Sequence, residues 1–160
     1  MKTNSLETVM VKCEVELAAA GQMAFANVAL TPGTNKGWDV LSVYAFVDND
    51  TAASANTSVG AVVRRTKTTP GSDIEDAVTQ DTVSLGSIMD ATQSGSTVGT
   101  RVGGMLPVLA DNVVLNNLQF VVATVNGEAV VDAVRVFFVV ELIPVDVPQS
   151  RLIGVLTEQP

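Results

Sequence analysis

The most apolar part of the chain is the second half of "ATVNGEAVVDAVRVFFVVELIPV", which runs from Ala123 to Val145. A membrane helix needs about 20 mostly apolar residues. Here the uninterrupted apolar run is only Val136–Val140. Charged Arg135 and Glu141 bracket this run, and Pro144 follows it. The stretch is therefore too short and too charged at its ends to cross a membrane.

A period of two makes this stretch a strand rather than a helix. One face is wholly apolar, whereas both charges fall on the other, and only strand geometry collects them there. β-Branched and aromatic residues dominate, as they do in strands. The apolar face comprises Val134, Val136, Phe138, Val140 and Leu142, and the other face comprises Ala133, Arg135, Phe137, Val139 and Glu141.

A hairpin signal lies immediately upstream of this strand. Asn126-Gly127 is typical of a two-residue hairpin loop, because both residues tolerate the positive φ of a type I′ turn. The sequence therefore predicts that Gln119–Val125 and Ala129–Leu142 pair as a long antiparallel hairpin. Pro144 is expected to end the second strand.

The same alternation recurs elsewhere in the chain. Val9–Leu17 places apolar residues at odd positions and mostly charged residues at even ones, which predicts a half-buried strand. Turn-rich segments separate the candidates, namely "TPGTNKG", "DNDTAASANTS", "TTPGS" and "ATQSGSTVGT". Further strands are predicted at Gln22–Leu30, Trp38–Val47, Ser58–Thr66, Thr82–Ile88, Val102–Leu109 and Asn112–Asn116.

One helical signal interrupts this β pattern. Ser72-Asp73-Ile74-Glu75 fits a capping box, with Ser72 as the N-cap and Glu75 reaching back to it. A turn or two of helix is predicted to follow, as far as about Gln80, within a connection between strands.

Together these elements predict an all-β fold, an antiparallel β-sandwich of about eight or nine strands with one short helix in a connection. The absence of crossover helices excludes a parallel α/β fold. A jelly roll is preferred over an immunoglobulin-like domain, which usually has about 100 residues. We predict an N-terminal arm at 1–8, a β-sandwich domain at 9–143 and a C-terminal arm at 144–160.

Composition narrows the range of partners. Hydrophobic residues make up 47% of the 160 residues and charged residues only 16%, against about 25% in typical soluble domains. This balance indicates that much of the surface contacts other protein. The net charge of -8 repels nucleic acid and anionic lipid, so neither nucleic acid nor a membrane is expected as a partner. Arg64, Arg65 and Lys67 form one basic group, which we interpret as a solvated strand end.

Residues for catalysis or metal binding are scarce in this sequence. With no histidine and the single cysteine Cys13, catalytic triads, zinc sites and an intrachain disulfide are excluded. Cys13 lies in an alternating strand and is expected to be a small buried hydrophobe. Asp48 and Asp50 could offer oxygen ligands to Ca²⁺, but a capped turn is preferred. No catalytic residue, metal ligand or cofactor is predicted, and the protein is not expected to be an enzyme.

Two further candidates have simpler structural interpretations. Gly99–Gly104 lacks the Lys-Ser/Thr of a phosphate loop and is interpreted as a turn or bulge. Trp38 is expected to pack in the core rather than to form a sugar platform. Met1–Leu17 contains three acidic residues and no apolar core, so no signal peptide is predicted and formation in a cytoplasm is expected.

In general character the chain resembles the small jelly-roll structural proteins of icosahedral viruses and phages, both coat proteins and cement or decoration proteins. The resemblance lies in a histidine-free, low-charge, all-β chain with the strand "AVRVFFVVELIPV" and an extended tail. It implies a non-enzymatic virion protein that contacts copies of itself and other capsid proteins as a homo-oligomer. Localisation in the virion, after assembly in the host cytoplasm, is implied as well.

The tail "PVDVPQSRLIGVLTEQP" is the candidate contact segment. Pro144 and Pro148 interrupt any strand there, and apolar residues then return. Such arms would lay apolar side chains in grooves between subunits, although packing of the tail on its own domain is an open alternative. The predicted assembly-interface residues are Leu6, Val147, Leu152, Ile153, Val155 and Leu156. A carbohydrate-binding or fimbrial-type β-sandwich module, sensitive to Trp38 or to Ca²⁺, is the alternative function.

Overall fold

A computed structural model of the chain describes residues 7–31, 36–48, 58–71, 73–94, 97–125, 129–130 and 133–148, with the backbone alone for Asp48 and 89–102. Within these ranges lie ten strands and one short helix. In chain order they are β1 Val9–Leu17, β2 Met23–Ala29, β3 Lys36–Asp48, β4 Ser58–Arg64, α1 Ile74–Ala77, β5 Thr82–Ser94, β6 Thr97–Val102, β7 Gly104–Leu106, β8 Val113–Val114, β9 Asn117–Thr124 and β10 Val134–Asp146.

The strands form two antiparallel sheets. The first sheet has the order β1-β10-β3-β7, with β8 also paired to β3. The second sheet has the order β2-β9-β4-β5-β6. The first strand therefore pairs with the last, the second with the last but one, and β3 and β4 with β7 and β5. A chain paired in this way is one long hairpin rolled into two sheets, which is a jelly roll. The predicted all-β, jelly-roll sandwich with a short helix in one connection is confirmed.

The core lies between the two sheets and confirms the predicted alternation in β10. Val134, Val136, Phe138, Val140 and Leu142 are all at most 1% exposed. The intervening residues of β10 are exposed or half-buried. Phe138 meets Phe120 of the second sheet with ring centroids 4.9 Å apart and planes tilted by 42°. This aromatic pair joins the two sheets at the centre of the sandwich.

The predicted hairpin between Gln119–Val125 and Ala129–Leu142 is wrong. β9 lies between β2 and β4 in the second sheet, whereas β10 lies between β1 and β3 in the first. Each strand thus has both edges occupied by other strands. Asn126-Gly127 lies outside the described residues. The turn signal was local, and sandwich topology overrides it because consecutive strands here cross from one sheet to the other.

The prediction that Pro144 ends β10 is wrong. The strand continues through it to Asp146, and Pro144 lies opposite Trp38 of β3. β1 begins opposite Leu142, so beyond that point β10 has a partner strand on one side only among the described residues. A proline, which lacks the amide N–H, is tolerated where one edge of a strand is open.

The helix begins one residue later than predicted and ends earlier. Asp73 is its N-cap, and the Asp73 backbone N–H is bonded by the carboxylate of Asp76 at 3.3 Å. Asp76 therefore has the role predicted for Glu75. Ser72 lies outside the described residues.

The turn-rich segment "ATQSGSTVGT" is largely strand. Residues 91–94 belong to β5, residues 97–100 belong to β6, and these two strands pair with each other. Gly103 then separates β6 from β7, with φ of +66°. A Cβ at this position would lie 2.4 Å from the carbonyl oxygen of Ala45, so only glycine fits without displacement. The interpretation of Gly99–Gly104 as a turn or bulge holds for Gly103, whereas Gly99 is in β6.

Candidate assembly surface

The chain itself covers the part of the second sheet's outer face that is formed by β4 and β9, whereas Phe25 of β2 is 40% exposed. The connection between β4 and β5, which contains α1, folds over this face. Ile74 and Ala77 of the helix pack against Val62 of β4 and Val121 of β9. All eight residues of β9 are consequently buried, although alternate side chains point away from the main core.

Beside this small apolar cluster lies a polar layer in which Arg64 and Gln119 are buried and Asn27 is exposed. Asn27, Gln119 and Arg64 occupy one rung across β2, β9 and β4. The Arg64 Nε–H donates to Oε1 of Gln119 at 2.5 Å, and one terminal nitrogen of Arg64 donates to the carbonyl of Thr68 at 2.9 Å. The Gln119 amide donates to the same carbonyl at 2.9 Å and to Asn27 Oδ1 at 3.2 Å. These bonds fasten the covering connection to the sheet.

The interpretation of Arg64 and Arg65 as a solvated strand end is wrong. Arg64 is 2% exposed and Arg65 0%. Burial lowers the pKa of Arg64, and the charge of Asp81 opposes that shift. Arg65 forms an ion pair with Asp111 at 3.1 Å. Only Lys67 of this basic group is exposed, because the connection that follows β4 covers Arg64, and Asp111 and Val113 bind Arg65.

The outer face of the first sheet has no such cover among the described residues. Phe137 of β10 lies directly opposite Phe46 of β3, and on the next rung Val139, Tyr44 and Met105 lie side by side across β10, β3 and β7. Met105 is 66% exposed, Phe46 53% and Phe137 36%. Directly opposed side chains are about 5 Å apart. These five residues therefore form a continuous apolar strip, hereafter the open face.

Charged residues of both signs border the open face. On β1, exposed Glu14 lies opposite Phe137, and exposed Lys12 lies opposite Val139. Glu16 lies opposite Arg135 one rung further along. A depression of about 280 Å³ between β1 and β10 is lined by residues that include Lys12, Glu14 and Phe137. An apolar centre with a charged border is the arrangement found at protein–protein contacts.

Of the predicted interface residues, only Val147 lies in the described part of the chain. It is 4% exposed and packs with Leu115, with Val113 and Val145 beside them. At this residue the chain therefore packs on its own domain, which was the open alternative for the tail. The other residues lie outside the described ranges, and their interface role stays a prediction: Leu6, Leu152, Ile153, Val155 and Leu156.

Two other candidates pack towards the interior. Trp38 is half-buried and packs against the main core, as expected. Cys13 is half-buried and packs against the same core. Burial, together with the negative charge of Glu14, raises the pKa of the Cys13 thiol. The Trp38 ring is therefore not displayed on the surface as a sugar-binding platform, and the Cys13 thiol is not displayed as a reactive group.

Sequence reasoning missed the open face, although part of the signal was present. The alternation in β10 already placed Phe137 and Val139 on the side away from the core. What it lacked was the register that sets Phe46, Tyr44 and Met105 beside them. In the ranges that the structure covers, no group of three or more acidic or cysteine side chains comes together as a potential metal site. No helix in the described ranges has the length and apolar character to span a bilayer.

No family model matches the chain, and no curated protein matches it. Two viral proteins are among the solved structures that resemble it. A structure from Desmodium yellow mottle tymovirus has 12% identity and a TM-score of 0.36, with 93% of this chain and 94% of that chain covered. VP1 of Trichodysplasia spinulosa-associated polyomavirus, solved with sialylated glyco-oligomers, has 8% identity and a TM-score of 0.37, with 92% and 98% covered. At TM-scores this low the likeness carries no argument, and the jelly-roll assignment depends on the strand order.

Proposed function

We propose that this chain is a non-enzymatic structural subunit of a virus or phage particle, either a capsid coat or a decoration or cement protein. It would act through contacts with copies of itself and with other capsid proteins, in a homo-oligomer located in the virion after assembly in the host cytoplasm. The observation that carries the proposal is the open face. The jelly-roll strand order is compatible with it, since viral capsid domains are one of the classes built on this fold, as are lectins and cupins.

The open face differs from the scattered apolar residues that any monomer exposes. Phe46 and Met105 are both more than half exposed and lie on neighbouring rungs of one sheet. Contiguous apolar patches of this kind mark interaction sites. Burying each large side chain would stabilise a contact by roughly 1.5–3 kcal/mol before the cost of ordering. Contacts of that strength become effective when many copies make them together.

The terminal arms would supply a second type of contact. Leu6 and the tail residues Leu152, Ile153, Val155 and Leu156 are proposed to lie in grooves of neighbouring subunits. Val147 is better placed in its own domain, because it is buried there against Leu115. The tail contact would therefore begin after Val147.

The alternative of a carbohydrate-binding module is less favoured. Its predicted platform was Trp38, which is half-buried and packs against the main core. A sugar platform needs an exposed aromatic face. Binding of the purified protein to a glycan array, weakened by Trp38→Ala, would restore this alternative.

The proposed function is tested with a double variant on the open face, Phe46→Thr with Phe137→Thr. Threonine is favoured in strands, and the two substitutions remove the exposed aromatic surface. The matched control is Phe25→Thr, because Phe25 is 40% exposed on β2 of the second sheet. We expect sedimentation velocity and electron microscopy to show assembly of the wild type and of the control, and dissociation of the double variant. A wild type that stays monomeric at every concentration, or a double variant that assembles equally well, would overturn the proposal.

A further inference from the structure

β1 forms one edge of the first sheet. Its nine residues pair with β10 on one side, and on the other side no strand among the described residues pairs with it. An edge of this length offers a row of backbone donors and acceptors to another strand. Natural proteins use such edges to add a strand from a partner.

The side chains of β1 alternate strictly. Met10, Lys12, Glu14 and Glu16 are exposed on the outer face of the sheet. From Val11 onwards the odd-numbered residues pack against the core, whereas Val9 is 40% exposed, and Cys13 is the central residue of the nine. A two-fold axis through this central residue could therefore relate β1 to β1 of a second copy. Two-fold symmetry is the commonest symmetry of soluble oligomers.

We propose that β1 pairs antiparallel with β1 of a second copy of this chain, with the two-fold axis at Cys13. In this register all nine residues of each strand are paired, from Val9 with Leu17 of the partner copy onwards. Lys12 lies opposite Glu14 of the partner, twice over by symmetry. The first sheet then continues across two subunits.

Charge distinguishes this register from its neighbours with the same faces. Moving the axis to Lys12 places two lysines opposite each other, and moving it to Glu14 places two glutamates opposite each other. With the axis at Cys13 no like charges face each other, and Met10 lies opposite Glu16. Opposite charges across an antiparallel pair stabilise it, whereas like charges destabilise it. The register with the most complete pairing is thus also the one with the best charge match.

This inference deepens the proposed function, because it names the partner and geometry of one subunit contact. It concerns the edge of the first sheet, whereas the proposed function depends on the open face. The two are therefore tested separately.

Cys13 is the only cysteine of the chain, so it reports on this contact. Directly opposed residues in an antiparallel pair have Cα atoms about 4.5–5.5 Å apart, which is within the range of a disulfide. We expect diamide, a thiol oxidant, to convert the full chain at mildly alkaline pH into a covalent dimer. Cys13→Ser should give none. No dimer from the wild type, at concentrations where sedimentation shows self-association, would overturn the inference.

The register is tested by moving the cysteine. In a Cys13→Ser background, a mixture of Val11→Cys and Val15→Cys chains should cross-link, because residue 11 lies opposite residue 15 of the partner copy. Either chain alone should cross-link several-fold less, since two copies of residue 11 would lie about 14 Å apart. Equal cross-linking of the mixture and of the single chains would indicate random collision and overturn the register.

Charge reversal supplies an independent test. Lys12→Glu and Glu14→Lys should each reduce the Cys13 cross-link, and the double variant should restore it. Failure of the double variant to restore the cross-link, while each single variant reduces it, would contradict the pairing.

A further experiment separates this inference from the proposed function: the Cys13 cross-link is measured in the chain that carries both Phe46→Thr and Phe137→Thr. If this open-face variant fails to assemble but neither it nor the wild type forms the Cys13 cross-link, only the β1 inference is overturned. If the variant assembles like the wild type and keeps the cross-link, only the proposed function is overturned.

Discussion

Arg64 and Gln119 lie directly opposite each other on β4 and β9, and the arginine Nε–H donates to the glutamine Oε1 at 2.5 Å beneath the connection that covers the second sheet. The same guanidinium donates to the carbonyls of Thr68 at 2.9 Å and Ala77 at 3.3 Å, both in that connection. One buried side chain thus ties two strands to their cover. This arrangement covers the part of one outer face formed by β4 and β9, while the open face on the other sheet has no such cover among the described residues.

Replacing Arg64 should release the cover. Arg64→Met keeps the approximate length of the side chain but leaves the acceptors on Gln119, Thr68 and Ala77 without this donor in a buried site. We expect the free energy of unfolding to fall by about 3 kcal/mol in urea denaturation. Lys67→Met is the matched control, because Lys67 is exposed, and it should change stability by less than about 0.5 kcal/mol. Similar losses in both variants would contradict the structural role of Arg64.

Replacing each of the two phenylalanines of β10 should lower the free energy of unfolding by very different amounts. Phe138→Ala removes a side chain that is 1% exposed and stacked near Phe120, and it should lower the free energy of unfolding by about 3–5 kcal/mol. Phe137→Ala, on the open face, should cost less than about 1 kcal/mol in the dissociated subunit. Denaturant unfolding at low protein concentration measures both. Comparable losses would mean that the open face is covered within the subunit.

Val147 distinguishes a core role from an assembly role. Because it is 4% exposed and packs against Leu115, Val147→Ala should destabilise the dissociated subunit by about 1.5–2 kcal/mol. Val78→Ala is the control, since Val78 is 46% exposed. If thermal or urea unfolding of the subunit is unchanged but assembly weakens, Val147 belongs to the interface after all.

Cys13 should make stability depend on alkaline pH. Its thiol pKa is raised in the folded state, first by burial and then by Glu14, so the folded chain holds the proton more tightly than the unfolded chain does. This contribution is fully present below the unfolded thiol pKa of about 8.5 and is lost as pH rises through the folded pKa. Urea unfolding at pH values from about 7 to about 10 should therefore show a steeper decline for the wild type than for Cys13→Ser. Parallel curves for the two proteins would show that the thiol pKa is the same in both states.

The sequence was sufficient to predict the fold class and most of the strands, although it placed a turn where β6 lies. Alternation reports which side of a strand meets the core, and it placed β1 at Val9–Leu17 and assigned both faces of β10 correctly. It also predicted the helix in the connection after β4, within a residue at its start. These features depend on local composition, because burial of one face is written into every second residue.

Which strands pair with one another could not be predicted in the same way. Asn126-Gly127 indicated a hairpin, but β9 and β10 lie in different sheets, since each is buried between two strands distant in sequence. Arg64 and Arg65 read as surface charges, yet residues far along the chain bury and bind them. In both cases the deciding contacts are long-range.

The amino-acid sequence by itself determined that this protein is an all-β sandwich, because the period of two sets an apolar, core-facing side on the strands. Only the tertiary structure decided which of the two outer faces is closed and which is open. The reason is physical: the residues on the outward side of a strand do not show which other part of the chain, if any, packs against them. Packing alone places α1 over Val121 of the second sheet and leaves Phe46 beside Phe137 on the first.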